Sequence, residues 1–260
     1  MRFLNALWMS FYSRHLYREV FEQWRGIGLV FIFILSLIQA IVATSQIDAQ
    51  IDIFVRDYAP ALVSQLPQLT IHDGLASTPE PKPYDILEPQ TSKRLALINT
   101  SLEQTPKDLG DTPLFIGKTS FVLTNPGKEA QTFEFSKARN IVIEQIGVFR
   151  VLKFISDWGA VLFFPILLTF QTLVFMLEVL FFSLFALISF RTSPVKATYA
   201  SMLRLTAVAL TPATLFSLIL TVFLPPDAIS SFTYVLLAVG YITYAVYVAK
   251  NPEKDLTRGD

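Results

Sequence analysis

The sequence has no cysteine and only two histidines in 260 residues. Without cysteine it can form no disulfide, no thiolate-bound metal site and no thiol nucleophile, so any exported portion is held together by packing alone. His15 and His72 fall in segments expected on opposite sides of a membrane, which excludes a multi-histidine metal centre within one chain. Charge is also scarce: 16% of the residues are Asp, Glu, Lys or Arg, the formal net charge is zero, and that balance gives no argument for nucleic acid as a partner. A P-loop, a GxGxxG fingerprint, an HExxH helix, a CxxC pair and a serine-nucleophile motif are all missing. These absences argue against an enzyme and against ATP-driven transport by this chain alone, and no cofactor is expected.

Apolar residues are abundant instead, at 52% with 23 phenylalanines and a mean hydropathy of +0.48, which points to lipid as the solvent for much of the chain. The first apolar run, 27–43, can cross a hydrocarbon core of about 30 Å. Trp8, Phe11, Tyr12 and Trp24 precede it, unlike the short basic start of a cleaved signal peptide, so it is read as an anchor. The second run, 158–190, is too long for one perpendicular span. It has no turn-forming residue at its centre and Pro165 near one end, which favours one helix protruding from the membrane over a hairpin. Runs at 205–224 and 229–249 complete four spans.

Lys and Arg are retained on the cytoplasmic side of short loops. Arg2, Arg14, Arg18 and Arg25 precede the first run; Arg191, Lys196 and Arg204 follow the second; Lys250, Lys254 and Arg258 follow the fourth; the loop Pro225-Pro226-Asp227-Ala228 has none. All three basic segments share one side only with four spans and both termini inside. The expected fold is therefore an α-helical membrane protein with four transmembrane helices and an inserted small extracytoplasmic α+β domain. Its parts are a cytoplasmic or interfacial amphipathic helix at 1–25, a first span at 26–45, the extracytoplasmic domain at 46–157, a long second span at 158–190, a cytoplasmic loop at 191–204, the spans 205–224 and 229–249, and a cytoplasmic tail at 250–260.

The outside segment carries 14 acidic against 11 basic residues, too small an excess to name a partner. Apolar spacing over 47–66 predicts an amphipathic helix interrupted near Pro60. Leu69-Thr70-Ile71 leading into His72-Asp73-Gly74 reads as a strand and a tight turn. Further strands are expected at 94–98 and at 120–123 and 132–135, the last two flanking Asn125-Pro126-Gly127. Prolines 79, 81, 83 and 89 make 77–89 extended and exposed, and a helix over 136–156 should lead into the second span. With helices continuing into spans at both ends, movement of this domain would be felt in the membrane. On the other side, 3–21 reads as a helix that lies in the inner-leaflet interface or packs on the protein's own loops.

Glu178 is the sharpest candidate for chemistry, a carboxyl inside a long apolar run where an ionised group costs several kcal/mol. It is read either as a proton or ligand site near Gln171 and Thr172, or as a packing contact hydrogen-bonded to Thr206, Thr211, Thr214 or Ser217 of the next span. Thr211-Pro212 marks a hinge or a close helix approach. His72, Asp73 and Gly74 are the candidate extracytoplasmic surface, with a turn as the simpler reading. Asn99-Thr100-Ser101 matches a glycosylation acceptor by a pattern frequent by chance. Tyr241, Tyr244 and Tyr247 share one face of the fourth span, as a membrane anchor or a protein contact.

Phe11-Tyr12-Ser13, Tyr17, Arg25-Gly26-Ile27-Gly28, the run Leu66-Pro67-Gln68-Leu69-Thr70-Ile71-His72-Asp73-Gly74 and the strand Leu95-Ala96-Leu97-Ile98-Asn99-Thr100 together resemble a bacterial membrane-protein family of unknown function, DUF1189. Members often read Asp-Thr followed by Gly after that strand, where this chain has Asn99-Thr100-Ser101. The third span, with Arg204, Thr206, Thr211 and Pro212, is also similar to Yip1-type membrane proteins. The resemblance implies a multi-pass protein of the bacterial inner membrane and supplies no reaction. The expected function is a non-enzymatic scaffold or sensor that binds an envelope component. Its partners would be the lipid bilayer and a partner protein or a second copy. The alternative is a transporter, channel or lipid-translocation component using Glu178.

Overall fold

A computed structural model describes residues 2–26, 28–102, 112–124, 129–190, 193, 195–224 and 231–251. The expected turn at Asn125-Pro126-Gly127, the loop at 225–228 and the basic residues Arg191, Lys254 and Arg258 lie outside the described residues. The elements in chain order are α1 (Arg2–Met9), α2 (Arg14–Glu22), α3 (Leu29–Ile53), a π-helical turn (Phe54–Tyr58) and α4 (Ala59–Val63). Seven strands follow: β1 (Leu69–His72), β2 (Leu75–Ser77), β3 (Tyr84–Leu87), β4 (Arg94–Ile98), β5 (Leu114–Ile116), β6 (Ser120–Leu123) and β7 (Gln131–Glu134). A 3-10 turn (Phe135–Lys137), β8 (Ile141–Ile143), α5 (Gln145–Phe190), α6 (Tyr199–Ala209), α7 (Thr211–Phe223) and α8 (Ser231–Lys250) complete the chain. Two compact units result, Met1–Gln46 with Val161–Asp260, and Ile47–Ala160.

Among the described residues, four helical stretches are long and apolar enough to cross a membrane: Leu29–Val63, Gln145–Phe190, Tyr199–Phe223 and Phe232–Lys250. Such a chain is compatible with a multi-pass membrane protein. The second stretch is one continuous helix of 46 residues, about 69 Å long at 1.5 Å per residue, and not a hairpin. Pro165 lies inside it and leaves only the carbonyl one turn earlier without its usual donor. The third stretch is broken at Leu210, with Pro212 in the first turn of α7, where a missing N–H costs nothing.

In the helical unit the expected single N-terminal helix is two. Ser13 ends the connection and caps α2, its side chain accepting from the Leu16 N–H at 3.2 Å. Leu16, Tyr17, Val20 and Phe21 are buried, with α2 packed on α6 and α8. Tyr17 is fully buried, donates its hydroxyl hydrogen bond to the Ser10 carbonyl and stands edge-on to Tyr244 at 5.8 Å. Burial first, and then the neighbouring Tyr241 and Tyr244, hold its phenol well above the ordinary tyrosine range. Tyr241 meets Phe11 edge-on at 6.5 Å, so two of the three aligned tyrosines contact the N-terminal segment, while Tyr247 remains 49% exposed.

The mixed unit holds two small sheets, ordered β2-β1-β8 and β3-β4-β5-β6-β7. All pairings are antiparallel except β4 with β5. The β1–β2 hairpin turns at Asp73 and Gly74, with φ of 49° and 82°, as a two-residue turn with both φ positive requires. A side chain on Gly74 would meet the Phe135 carbonyl oxygen at 3.3 Å. Leu69, Ile71, Ala76, Ile86, Ala96, Ile98 and Phe135 form the core.

Two expectations for this unit change, and a third, the interrupted helix, holds with a specific geometry. The helix predicted over 136–156 begins only at Gln145, because Ile141–Ile143 is a strand paired with β1. The proline-rich segment contains the extended strand β3 but is not wholly exposed, since that strand buries Ile86 beside β4. The interruption near Pro60 is a wide π turn that ends before the proline, a geometry that tolerates the absent N–H and the ring's bulk.

Candidate functional site

Within α5, Phe175, Val179, Ala186 and Phe190 are buried at roughly helical spacing, and Glu178 borders that stripe, half-buried. On α8, Tyr234 lies on the same face as the buried Ala238, Ile242 and Ala245. The Tyr234 hydroxyl donates to Glu178 Oε2 at 2.8 Å. The Thr214 hydroxyl lies beside that of Tyr234 without a well-formed hydrogen bond to it. The expected partners of Glu178 on the third stretch are thus replaced by a tyrosine of the fourth.

The other candidates stand apart from this pair. Thr206 is buried and its hydroxyl has no partner among the described residues, and Thr211 bonds back to the Ala207 carbonyl at 3.4 Å. Thr172 bonds to the Leu168 carbonyl at 2.7 Å, and the residue before it, Gln171, is half-buried. His72 and Asp73 are both exposed, with Nδ1 and Oδ2 3.1 Å apart, while Gly74 is buried under the 3-10 turn as a turn residue. Among the described residues, no group of three or more His, Asp or Glu is placed to hold a metal.

Two features went unread in the sequence. The first is Arg204 on α6, which clamps the end of α2: Nε donates to the Val20 carbonyl and Nη2 to the Phe21 carbonyl, both at 2.7 Å, with Nη1 at 3.5 Å from the Gly26 carbonyl. A cation here meets the carbonyl-rich end of a helix, where the helix dipole favours it. Gly28 has φ of 80°, and a Cβ on it would stand 3.3 Å from the Arg204 Cα, so the glycine lets α3 start against α6. Counting basic residues toward one side of a membrane hides this role, because the count ignores what each guanidinium bonds to.

The second feature is β8. It forms the edge of its sheet, and all three residues are exposed: Ile141 at 42%, Val142 at 54% and Ile143 at 36%. The apolar surface continues onto α5, where Ile146 is 71% exposed. An apolar edge strand without a charge or proline is a template for another strand.

Over residues 4–248 the sequence matches a family described as a protein of unknown function, DUF1189. The chain belongs to that family. No curated protein and no solved structure matches it. In this member, Gly26 and Gly28 supply the close approach to Arg204, and the His72-Asp73-Gly74 motif supplies a hairpin turn.

Proposed function

We propose that this protein is a non-enzymatic scaffold or sensor of the bacterial cytoplasmic membrane, multi-pass with both termini in the cytoplasm, whose extracytoplasmic unit binds a partner protein of the envelope. The observation that carries the reading is the exposed Ile141-Val142-Ile143 edge. A partner strand laid along β8 would satisfy its free backbone groups and cover its apolar side chains, as in β-strand addition. Val142→Lys places a charge on that edge and removes the match. Purification of the full chain in mild detergent should recover a defined complex for the parent and at least about tenfold less for Val142→Lys, the loss that about 1.4 kcal/mol produces. An unchanged complex in the variant would overturn the assignment of the edge.

A second reading, a transport, channel or lipid-translocation component, is favoured by one observation, the Glu178–Tyr234 pair between two membrane-length helices. Polar pairs in such positions serve ion and proton pathways as well as packing. Flux in proteoliposomes that depends on pH and is lost in Glu178→Gln would support this reading, and equal flux in parent and variant would exclude it.

A further inference from the structure

A cavity of about 850 Å³ opens in the helical unit between α1, α2 and the start of α3, within the size range of small-ligand pockets. Its polar wall includes Asn5, Glu19, Gln23 and Arg25, and its apolar wall includes Leu29 and Val30. Leu29 and Val30 are 53% and 56% exposed and open the first membrane-length helix, so the apolar wall runs on into the surface that would face lipid. Trp24, with its indole N–H 3.3 Å from Glu19 Oε1, stands where an aromatic side chain suits the headgroup level.

The charges are the informative part. Glu19 and Arg25 line one cavity, yet among the described residues no ion pair joins them; beside Glu19 stands the exposed His15, whose Nδ1 is 4.0 Å from Oε2. Arg25 is exposed and has no ion-pair partner among the described residues. A ligand that complements both carries an anion and a cation within one headgroup, with an apolar portion for Leu29 and Val30. A phosphate diester suits a guanidinium, a primary ammonium with three donors suits a carboxylate, and acyl chains suit the wall.

We infer that this cavity is a binding site for an aminophospholipid headgroup, with Arg25 on the phosphate and Glu19 on the ammonium. The site lies wholly in the helical unit, so its test is independent of whether β8 binds a partner. The full chain is reconstituted in nanodiscs of mixed phosphatidylethanolamine, phosphatidylcholine and phosphatidylglycerol, extracted gently, and its retained lipid quantified by mass spectrometry. The parent retains phosphatidylethanolamine in preference to the other two. Arg25→Gln lowers total retained phospholipid about tenfold, the loss expected for one charge-assisted hydrogen bond. Glu19→Gln keeps phosphatidylglycerol but loses the preference for phosphatidylethanolamine over phosphatidylcholine.

Leu29→Trp, at an exposed position that leaves the core untouched, narrows the apolar wall and reduces retention without altering the headgroup preference. Free glycerophosphoethanolamine competes weakly, because it lacks the acyl chains. Equal retention of the three lipids by the parent, unchanged retention in Arg25→Gln, or full displacement by the free headgroup would each overturn the proposal.

Discussion

Removing the Arg204 guanidinium should release α2 from the helical unit while the rest of that unit stays folded. Two of its hydrogen bonds, to Val20 and Phe21, are 2.7 Å long, and the third contact at 3.5 Å is too long to count fully. Hydrogen bonds to a charged group are worth about 1.5–3 kcal/mol each. Arg204 is partly exposed, so water replaces part of the loss, and Arg204→Gln should cost about 2–4 kcal/mol in local stability. Because the chain has no cysteine, a single Val20→Cys is the only thiol and reports opening of α2 directly. At 1.36 kcal/mol per factor of ten, thiol labelling in detergent should accelerate by about 30-fold to about 900-fold. Arg204→Lys should fall between, since an ammonium keeps the charge at the helix end but cannot fork to both carbonyls. A labelling rate in Arg204→Gln within about threefold of the parent would refute the clamp.

Other outcomes follow from neighbouring geometry. Gly28→Ala should lower stability by about 1–2 kcal/mol for a left-handed backbone alone, and by more from the 3.3 Å approach to Arg204, read as a lower Tm in detergent. The Tyr17 phenol, raised by burial, stays neutral in the folded protein while the unfolded chain ionises near its ordinary value. Its contribution is thus fully present below about pH 10 and is lost as pH rises above that value, and Tyr17→Phe should show a shallower alkaline loss of stability along with about 1 kcal/mol less stability at neutral pH. With single cysteines placed at Lys82 and at Asn5, both exposed, an impermeant maleimide should label the first in intact cells and the second only after permeabilisation. The reverse pattern would invert the proposed topology.

Much of this architecture was legible because local chemistry and tertiary structure agree. The Asp73-Gly74 turn needs two residues with positive φ, the strand at 94–98 forms as its apolar run suggests, and the unbroken apolar stretch of α5 forms one helix. The misreadings occur where a distant neighbour decides. Ile141-Val142-Ile143 fits a helical pattern or a strand equally well in isolation, and pairing with β1 selects the strand. The expected N-terminal helix breaks where Ser13 can cap a new one, and α2 then turns Tyr17 into the bundle. Glu178 was visible as an anomaly, but its partner was not. Tyr234 lies 56 residues away in sequence, and its hydroxyl reaches the carboxyl only because α8 presents Tyr234, Ala238 and Ile242 on one face. A single apolar run carries no information about which face meets which neighbour.

The most direct test of the proposed function places a photo-crosslinking residue at Val142 in the full chain and irradiates intact cells. One discrete adduct with an envelope protein or a second copy is expected, absent when the same residue replaces the exposed Lys82 and reduced at least about tenfold by Ile141→Lys. No adduct at Val142 under conditions where the protein is folded and in the membrane, or an adduct unchanged by Ile141→Lys, would contradict it.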